Sequence, residues 1–367
     1  MRLGFLLVFL SVLSFGCRKH IVDPVNYVND VDDETRMLLV LSAPSVDDIY
    51  YQSKFEDIVQ FQIAYANAII GNDNVVVLVD RKTRKYYEDA LPGDVLLTQE
   101  VFDIWMRDFT TVNPLDPVKF KYTWASMTQE ESEEVQQSFV DFSERCFLEW
   151  ESTDLSIDGG NIVDNYAGRV ITTTRFQSDN RITGDQAREE LKAVLGATQV
   201  SVIEADEDVL GHADGMVMWA DDNTLIVNDY SAYPNYRTGV INELKATFPG
   251  VNLIEIPVDY GLIDTADSSV KLVDSLLLLQ QLAWDGFESA CGVHVNSTVT
   301  FENIYVPTFD MDHDDAALQL IRDNTTKNVI EINASGVCEM GGSVRCLTWQ
   351  QTGDNATRLI EEARIRK

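Results

Sequence analysis

"TLIVNDYS" (Thr224–Ser231), "TGVINELKATF" (Thr238–Phe248) and "VNLIEIPVD" (Val251–Asp259) follow one another as an apolar run, a helical pattern and a second apolar run that ends on an acid. Short branched-apolar runs bounded by turn residues predict strands, so the segment reads as strand, helix, strand. The order recurs. "RMLLVLSAP" (Arg36–Pro44) precedes a helical pattern over Ser53–Ile70 and then "VVVLVD", ending at Asp80. "RVITTTRF" (Arg169–Phe176) precedes "GDQAREELKAVLG", whose Ala, Leu and Val spacing suits one buried helix face, and then "VSVIEAD", ending at Asp206. "NIYVPTFD" (Asn303–Asp310) precedes "DDAALQLIRDN" and "NVIEINAS", ending at Ser335. "SVRCLTWQ" (Ser343–Gln350) and "NATRLIEEARIR" open a fifth unit that stops before its second strand. Units that each leave a helix face and a sheet uncovered are stable when neighbours close around a centre, so a ring or propeller of α/β blades follows. A doubly wound sheet is the runner-up. It has no support from a phosphate loop, since neither GxGxxG nor GxxxxGK[ST] occurs.

The chain has 367 residues, 45% of them hydrophobic, enough to bury a large core. "MRLGFLLVFLSVLSFGC" has one early Arg, an apolar stretch short for a membrane span and small residues at its end, which is the plan of an export signal over residues 1–17. Cleavage before Cys17 would leave a lipoprotein; simple secretion is the alternative. Either way the mature protein is expected outside the cytoplasm. Residues 18–36 read as a polar tether, and residues 37–367 as a single folded domain. The net charge of −32, from 60 acidic and 28 basic residues, opposes nucleic acid and anionic lipid and favours a cationic ligand. Beyond Cys17 the cysteines are Cys146, Cys291, Cys338 and Cys346, without CxxC spacing. That excludes the usual zinc and thioredoxin-type patterns and leaves room for one disulfide among Cys146, Cys291 and Cys338.

Four stretches place a charged or nucleophilic side chain beside glycine or at a strand edge: "WMRDF" (Trp105–Phe109), "DGGN" (Asp158–Asn161), "GHADG" (Gly211–Gly215) and "GGSVRC" (Gly341–Cys346). The four histidines are His20, His212, His294 and His313. His20 lies in the tether, and His313, in "DMDHDD", sits at a helix start where acids cap, so a required base is His212 or His294. A thiolate, a histidine and carboxylates for a cationic substrate make a self-consistent nucleophilic site. Taken singly, each has a plainer reading. Cys346 could fill core, Asp108 beside Arg107 could be a surface ion pair, and His212 with Asp214 could form a polar turn. A papain-like hydrolase would place its cysteine early, in a C-G-x-C-W setting that is missing here.

In order and spacing, "WMRD", "GGN" followed by "VITTT", "GHADGMVMWADDNTLIV", "VNSTVTFENIYVPTF" and "GGSVRCLTWQQ" resemble the agmatine deiminase and Porphyromonas-type peptidylarginine deiminase family, of the guanidine-modifying pentein superfamily. The resemblance spans Met37–Gln351. It implies a fivefold pseudosymmetric α/β propeller and hydrolysis of a guanidinium to a ureido group and ammonia, with no metal or other cofactor. It further implies Cys346 as nucleophile, His212 as general acid and base, and Asp108 and Asp214 as carboxylates gripping the guanidinium. Asn296 falls on an active-site asparagine, while Trp105, Asp158 and Asn161 fall at the substrate-binding mouth. A planar cation with five N–H donors suits two carboxylates meeting it edge-on. His212 and Asp214, two apart on a strand-like stretch, would face one pocket. Two departures stand out. "FTTVNP" follows "WMRD" where the family has a short turn, and Arg345 precedes the cysteine where the family has His; on a strand, Arg345 would face away from Cys346. Export favours arginine within peptides as substrate, with Arg169 or Arg175 as contacts for its backbone. Agmatine, an amidinotransferase activity, and a surface lipoprotein that binds guanidinium without turnover are the alternatives. Asn296, Asn324, Asn333 and Asn355 each open an N-x-[ST] sequence; a glycan on Asn296 would be incompatible with a site role.

Overall fold

The computed structural model describes residues 27–123, 128–206, 210–258 and 289–365. The expected leader with Cys17, the first part of the tether with His20, and the strand end at Asp259 lie outside these residues. Sixteen strands form five sheets among the described residues. They are β1 Leu38–Ser42, β2 Asn74–Val79, β3 Leu96–Thr98, β4 Thr111–Val112, β5 Val118–Lys121, β6 Glu151–Ser156, β7 Val163–Asp164 and β8 Arg169–Thr173. The second half of the chain supplies β9 Gln199–Ile203, β10 Val217–Trp219, β11 Thr224–Asn228, β12 Asn252–Ile256, β13 Thr298–Val299, β14 Asn303–Thr308, β15 Asn328–Asn333 and β16 Trp349–Gln351.

Every sheet repeats one plan. A strand pairs antiparallel with a second, and the second pairs parallel with a third: β4-β5-β6, β7-β8-β9, β10-β11-β12 and β13-β14-β15. Parallel neighbours need a crossover, and helices provide it. The helices are α1 Phe55–Ile69, α2 Met106–Phe109, α3 Gln129–Arg145, α4 Thr174–Asn180, α5 Gly184–Leu195, α6 Pro234–Thr247, α7 Asp314–Asp323 and α8 Gly353–Ile365. In the stretch that opened the sequence reading, Thr224 pairs with Asn252 and Asn228 with Ile256, and α6 starts on Pro234, a residue whose missing N–H costs nothing in a first turn. Helix α5 begins on a reciprocal Thr183–Gln186 capping box and ends on Gly196 at φ 63°.

The fifth unit is not where the periodicity puts it. Residues 343–347 form turns, and β16, only Trp349–Gln351, runs antiparallel to β1 with Gln351 opposite Leu38. The chain's last strand thus completes its first sheet, in the place β4, β7, β10 and β13 take in theirs. The remaining sheet, β4-β5-β6 with α3, escaped the sequence reading because β6 ("ESTDLS") is polar and largely exposed, while "QEESEEV" reads as solvated surface. By contrast β1, β2, β11 and β14 are buried along their whole length, which is why they read as continuous apolar runs. Trp349 ties the last strand to the second sheet. Its ring packs edge-on against Phe139 at 5.1 Å, and its Nε1 donates to Thr111 Oγ1 at 3.0 Å. Thr111 belongs to "FTTVNP", so that departure is a strand, β4, buttressing the segment that follows Cys346.

Candidate active site

Five turns at strand ends converge, and backbone hydrogen bonds lock them together. Arg107 N donates to the Cys346 carbonyl at 3.1 Å, and Arg345 N to that of Asn296 at 3.1 Å. Gly160 N donates to Asp108 Oδ1 at 2.9 Å. Asn161 Oδ1 accepts from Thr173 N at 3.0 Å and Ala213 N at 3.2 Å, so this side chain holds the Ala213–Gly215 turn in place.

Cys346 is 5% exposed. Its Sγ receives a hydrogen bond from Asn296 Nδ2 at 3.2 Å and lies 3.9 Å from Asp214 Oδ2. Asn296 is fixed in turn by Ser343 Oγ, which donates to its Oδ1 at 2.9 Å, and by Asp214, whose carbonyl accepts from Nδ2 at 3.3 Å. At 3% exposure Asn296 is closed to a glycan. Burial pushes the Cys346 thiol well above its ordinary range, and the carboxylates of Asp214 and Asp108 push it further; the Asn296 hydrogen bond acts the other way. The resting sulfur is a thiol.

His212 precedes a single 3-10 turn rather than lying on a strand, so its proximity to Asp214 comes from the turn. The imidazole Nε2 stands 3.1 Å from Asp158 Oδ2, and Nδ1 stands 3.8 Å from Asp108 Oδ1. Nδ1 is buried and forms no hydrogen bond among the described residues. Burial alone would lower the His212 pKa, but the Asp108 and Asp158 carboxylates outweigh it and hold the ring at about 9. Asp108 is raised to about 7, first by burial and then by Asp158 and Asp214, with His212 opposing. Asp158 stays low because His212 and Arg175 more than offset its burial.

Two glycines make the approach possible. A Cβ on Gly160 would stand 2.7 Å from Asp108 Oδ1, 2.7 Å from His212 Nδ1 and 3.1 Å from Asp214 Oδ2. Those three groups therefore ring one small space floored by Gly160. A Cβ on Gly342 would meet Trp105 Cζ3 at 2.5 Å and Cys346 Cβ at 3.0 Å, so Trp105 lies against the backbone beside the cysteine. In the sequence, a glycine doublet beside a charged or nucleophilic side chain is the signal of such a close approach.

Arg345 corrects an expectation. The turn sends its guanidinium into the site, where Nη1 pairs with Asp214 Oδ2 at 2.9 Å and Nη2 donates to the Ile162 carbonyl at 2.7 Å. Arg107 is likewise no surface partner of Asp108: it is buried and donates to Gln350. Arg175 lies in the site, donating to Asp158 Oδ2 at 2.8 Å, whereas Arg169 binds the Asp222 carbonyl at 2.8 Å, away from it. His294 pairs with Asp314 at 2.9 Å and takes no part. In "DMDHDD" no side chain caps the helix: His313 holds the N-cap position without a side-chain hydrogen bond, and Asp314, the first helical residue, accepts from Phe309 N and Met311 N of the preceding loop. Cys291 and Cys338 form the one disulfide among the described residues; Cys146 is buried.

A mixed α/β fold of five repeated sheets, with a cysteine, a histidine and acids at the meeting point of its turns, defines the class of guanidine-modifying penteins. The chain belongs to the Porphyromonas-type peptidyl-arginine deiminase family, whose model matches residues 30–352. In fold it is similar to the agmatine deiminase of C. jejuni, with a TM-score of 0.69 at 18% identity, covering 89% of this chain and 96% of that one. The agmatine deiminase of Enterococcus faecalis is similar too, with a TM-score of 0.65 at 15% identity over 89% of this chain and 98% of that one. No curated protein sequence matches the chain. The protein is a guanidine deiminase, a hydrolase acting on the C–N bonds of the guanidino group.

Proposed function

We propose that this protein converts arginine within exported or extracellular peptides to citrulline, with release of ammonia, through a covalent intermediate on Cys346. The observation that carries the reading is the ring of Asp108, Asp214 and the unpartnered His212 Nδ1 around the space above Gly160, with Cys346 Sγ 3.9 Å from Asp214. Asp108 and Asp214 receive guanidinium N–H donors edge-on and fix the plane of the cation. Burial and the two carboxylates keep the Cys346 thiol protonated; the incoming positive charge offsets the carboxylates, so the thiol releases its proton to solvent, where it ends on the departed ammonia, and the thiolate forms as the substrate binds. Sγ then bonds to the guanidinium carbon. The carbon–nitrogen bond breaks, and His212 gives its proton to the departing ammonia. Neutral His212 next takes a proton from water, hydroxide adds to the same carbon, and the carbon–sulfur bond breaks as the hydroxyl proton passes to Sγ, which releases the ureido product and restores the thiol. The family description and the leader-like N-terminus favour peptidyl arginine over agmatine.

The test is to incubate the protein with benzoyl-arginine amide and with agmatine and to assay ureido product and ammonia. Citrulline from the peptide-like compound supports the proposal; product from agmatine alone replaces peptidyl arginine with the free amine. Cys346→Ala is expected to abolish turnover with its circular dichroism unchanged, and iodoacetamide is expected to alkylate Cys346 slowly at neutral pH. Retained turnover in that variant removes the proposed nucleophile.

A further inference from the structure

The proposed chemistry asks one imidazole to give up a proton and later to take one, yet two carboxylates flank it. Opposite charges within about 4–6 Å typically move a pKa by 1–3 units toward the charged form. Asp108 and Asp158 together hold His212 as an imidazolium, and the tighter that hold the harder the second half of the reaction. A third group stands in their way. Arg175, on α4, places Nη1 3.1 Å from His212 Nε2 and donates through Nη2 to Asp158 Oδ2 at 2.8 Å. Asp158 Oδ2, the oxygen nearest the imidazole, is thus shared between a guanidinium and a histidine.

The position of Arg175 does not depend on the active site. Nη1 also donates to the Leu210 carbonyl, Nη2 donates to the Thr123 carbonyl at 3.2 Å, and Nε pairs with Asp179 Oδ2 at 3.3 Å. Three anchors outside the catalytic group fix the guanidinium beside Nε2. A guanidinium has donors only, so it cannot accept a proton from Nε2; it can only take up Asp158's charge and repel a proton on the ring. The charged groups facing His212 are Asp108 from α2, Asp158 ahead of the Gly159–Asn161 turn, Arg175 and Asp179 from α4, and Asp214 with its partner Arg345. Arg175 is the cation whose N–H stands at hydrogen-bond distance from the ring.

We infer that Arg175 is a positioning residue that sets the basicity of His212 by sharing Asp158, keeping the imidazole able to lose its proton after ammonia has left. The inference rests on the deiminase reading for its purpose, and on the geometry alone for its electrostatics. Its role also removes Arg175 from the set of cations free to receive a peptide backbone.

The decisive measurement needs no turnover. The chain has four histidines, so protein labelled with 13C and 15N at histidine gives few ring signals, and His212→Gln assigns one of them. In Arg175→Gln the His212 midpoint is expected to rise by about one pH unit or more, with a native melting profile. Arg175→Lys keeps the charge and is expected to stay within about half a unit of the wild type. An unchanged or lowered midpoint in folded Arg175→Gln overturns the inference. Should Arg175→Gln not fold, Arg175→Lys decides: a midpoint within about half a unit of the wild type supports the inference, and one displaced further below the wild type overturns it. The alkaline shift should reappear in the pH profile of turnover on benzoyl-arginine amide. A shifted midpoint in a protein inactive on every guanidine would remove the deiminase reading and leave the electrostatic inference standing; turnover without a shift does the reverse.

Discussion

Gly160 has no side chain, yet it dictates how close Asp108, His212 and Asp214 can stand. A methyl at that position would sit 2.7 Å from two of them, well inside contact distance. Gly160→Ala is therefore expected to displace the acids and the imidazole by a good fraction of an ångström. Misplacement on that scale costs about a hundredfold in turnover, and the melting temperature should move little because the strands are untouched. Steady-state kinetics against thermal unfolding would check this; near-normal turnover would mean the space above Gly160 is not where substrate sits. Residue types were the most legible part of the site. Cys346, His212, Asp108, Asp214 and Asn296 were all named from motif order, and they meet. The direction of Arg345 was not legible, because alternation along a strand was assumed where the backbone turns. A buried carboxylate 3.9 Å from the sulfur is instead paired with the chain's own guanidinium.

At the level of elements, the segment after Cys346 is held by side chains from a different sheet. Trp349 on β16 packs on Phe139 and Phe142 of α3 and donates to Thr111 of β4. Trp349→Ala leaves a cavity and removes one of the two donors to the Thr111 hydroxyl, the other being Gln351 Nε2, and large-to-small changes of this kind cost about 3–5 kcal/mol. Urea denaturation should show a loss of that size; a loss under ~1 kcal/mol would mean that β16 is not anchored through Trp349. On the other side of the turn, the Cys291–Cys338 disulfide joins the approach to Asn296 with the approach to Cys346 across a sequence separation of 47 residues. Four of the five strand-helix-strand units were legible because their strands are apolar. The β4-β5-β6 unit was not, since an edge strand open to water carries no apolar signature, and the short β16 could not be told from the turns before it.

Over the whole molecule, stability is linked to protonation of the site. His212 has a folded pKa of about 9 against an ordinary 6.5, so the folded state binds its proton more tightly than the unfolded state. Its stabilising contribution is complete below about 6.5 and is lost as pH rises through about 9. Asp108, raised to about 7, acts in the same sense at lower pH: the proton it keeps is one the unfolded chain has already released. The melting temperature is expected to fall between pH 6.5 and 9, and His212→Gln should flatten that slope. A wild-type melting temperature that rises over the interval would contradict the raised His212 value. The charge of −32 adds a general repulsion that salt screens, so the comparison belongs at one ionic strength.

The sequence by itself determined the α/β alternation, the repeat, and the identity of the side chains that meet at the candidate site, because each rests on local pattern: branched apolar runs, helical spacing and ordered motifs. Only the tertiary structure decided which strand completes the first sheet, that Cys291 pairs with Cys338, and that Arg345 and Arg175 share the site's carboxylates. Those outcomes depend on contacts between residues far apart in the chain. Charges in a buried site set one another's protonation across a few ångströms, and the linear order of residues does not hold those distances.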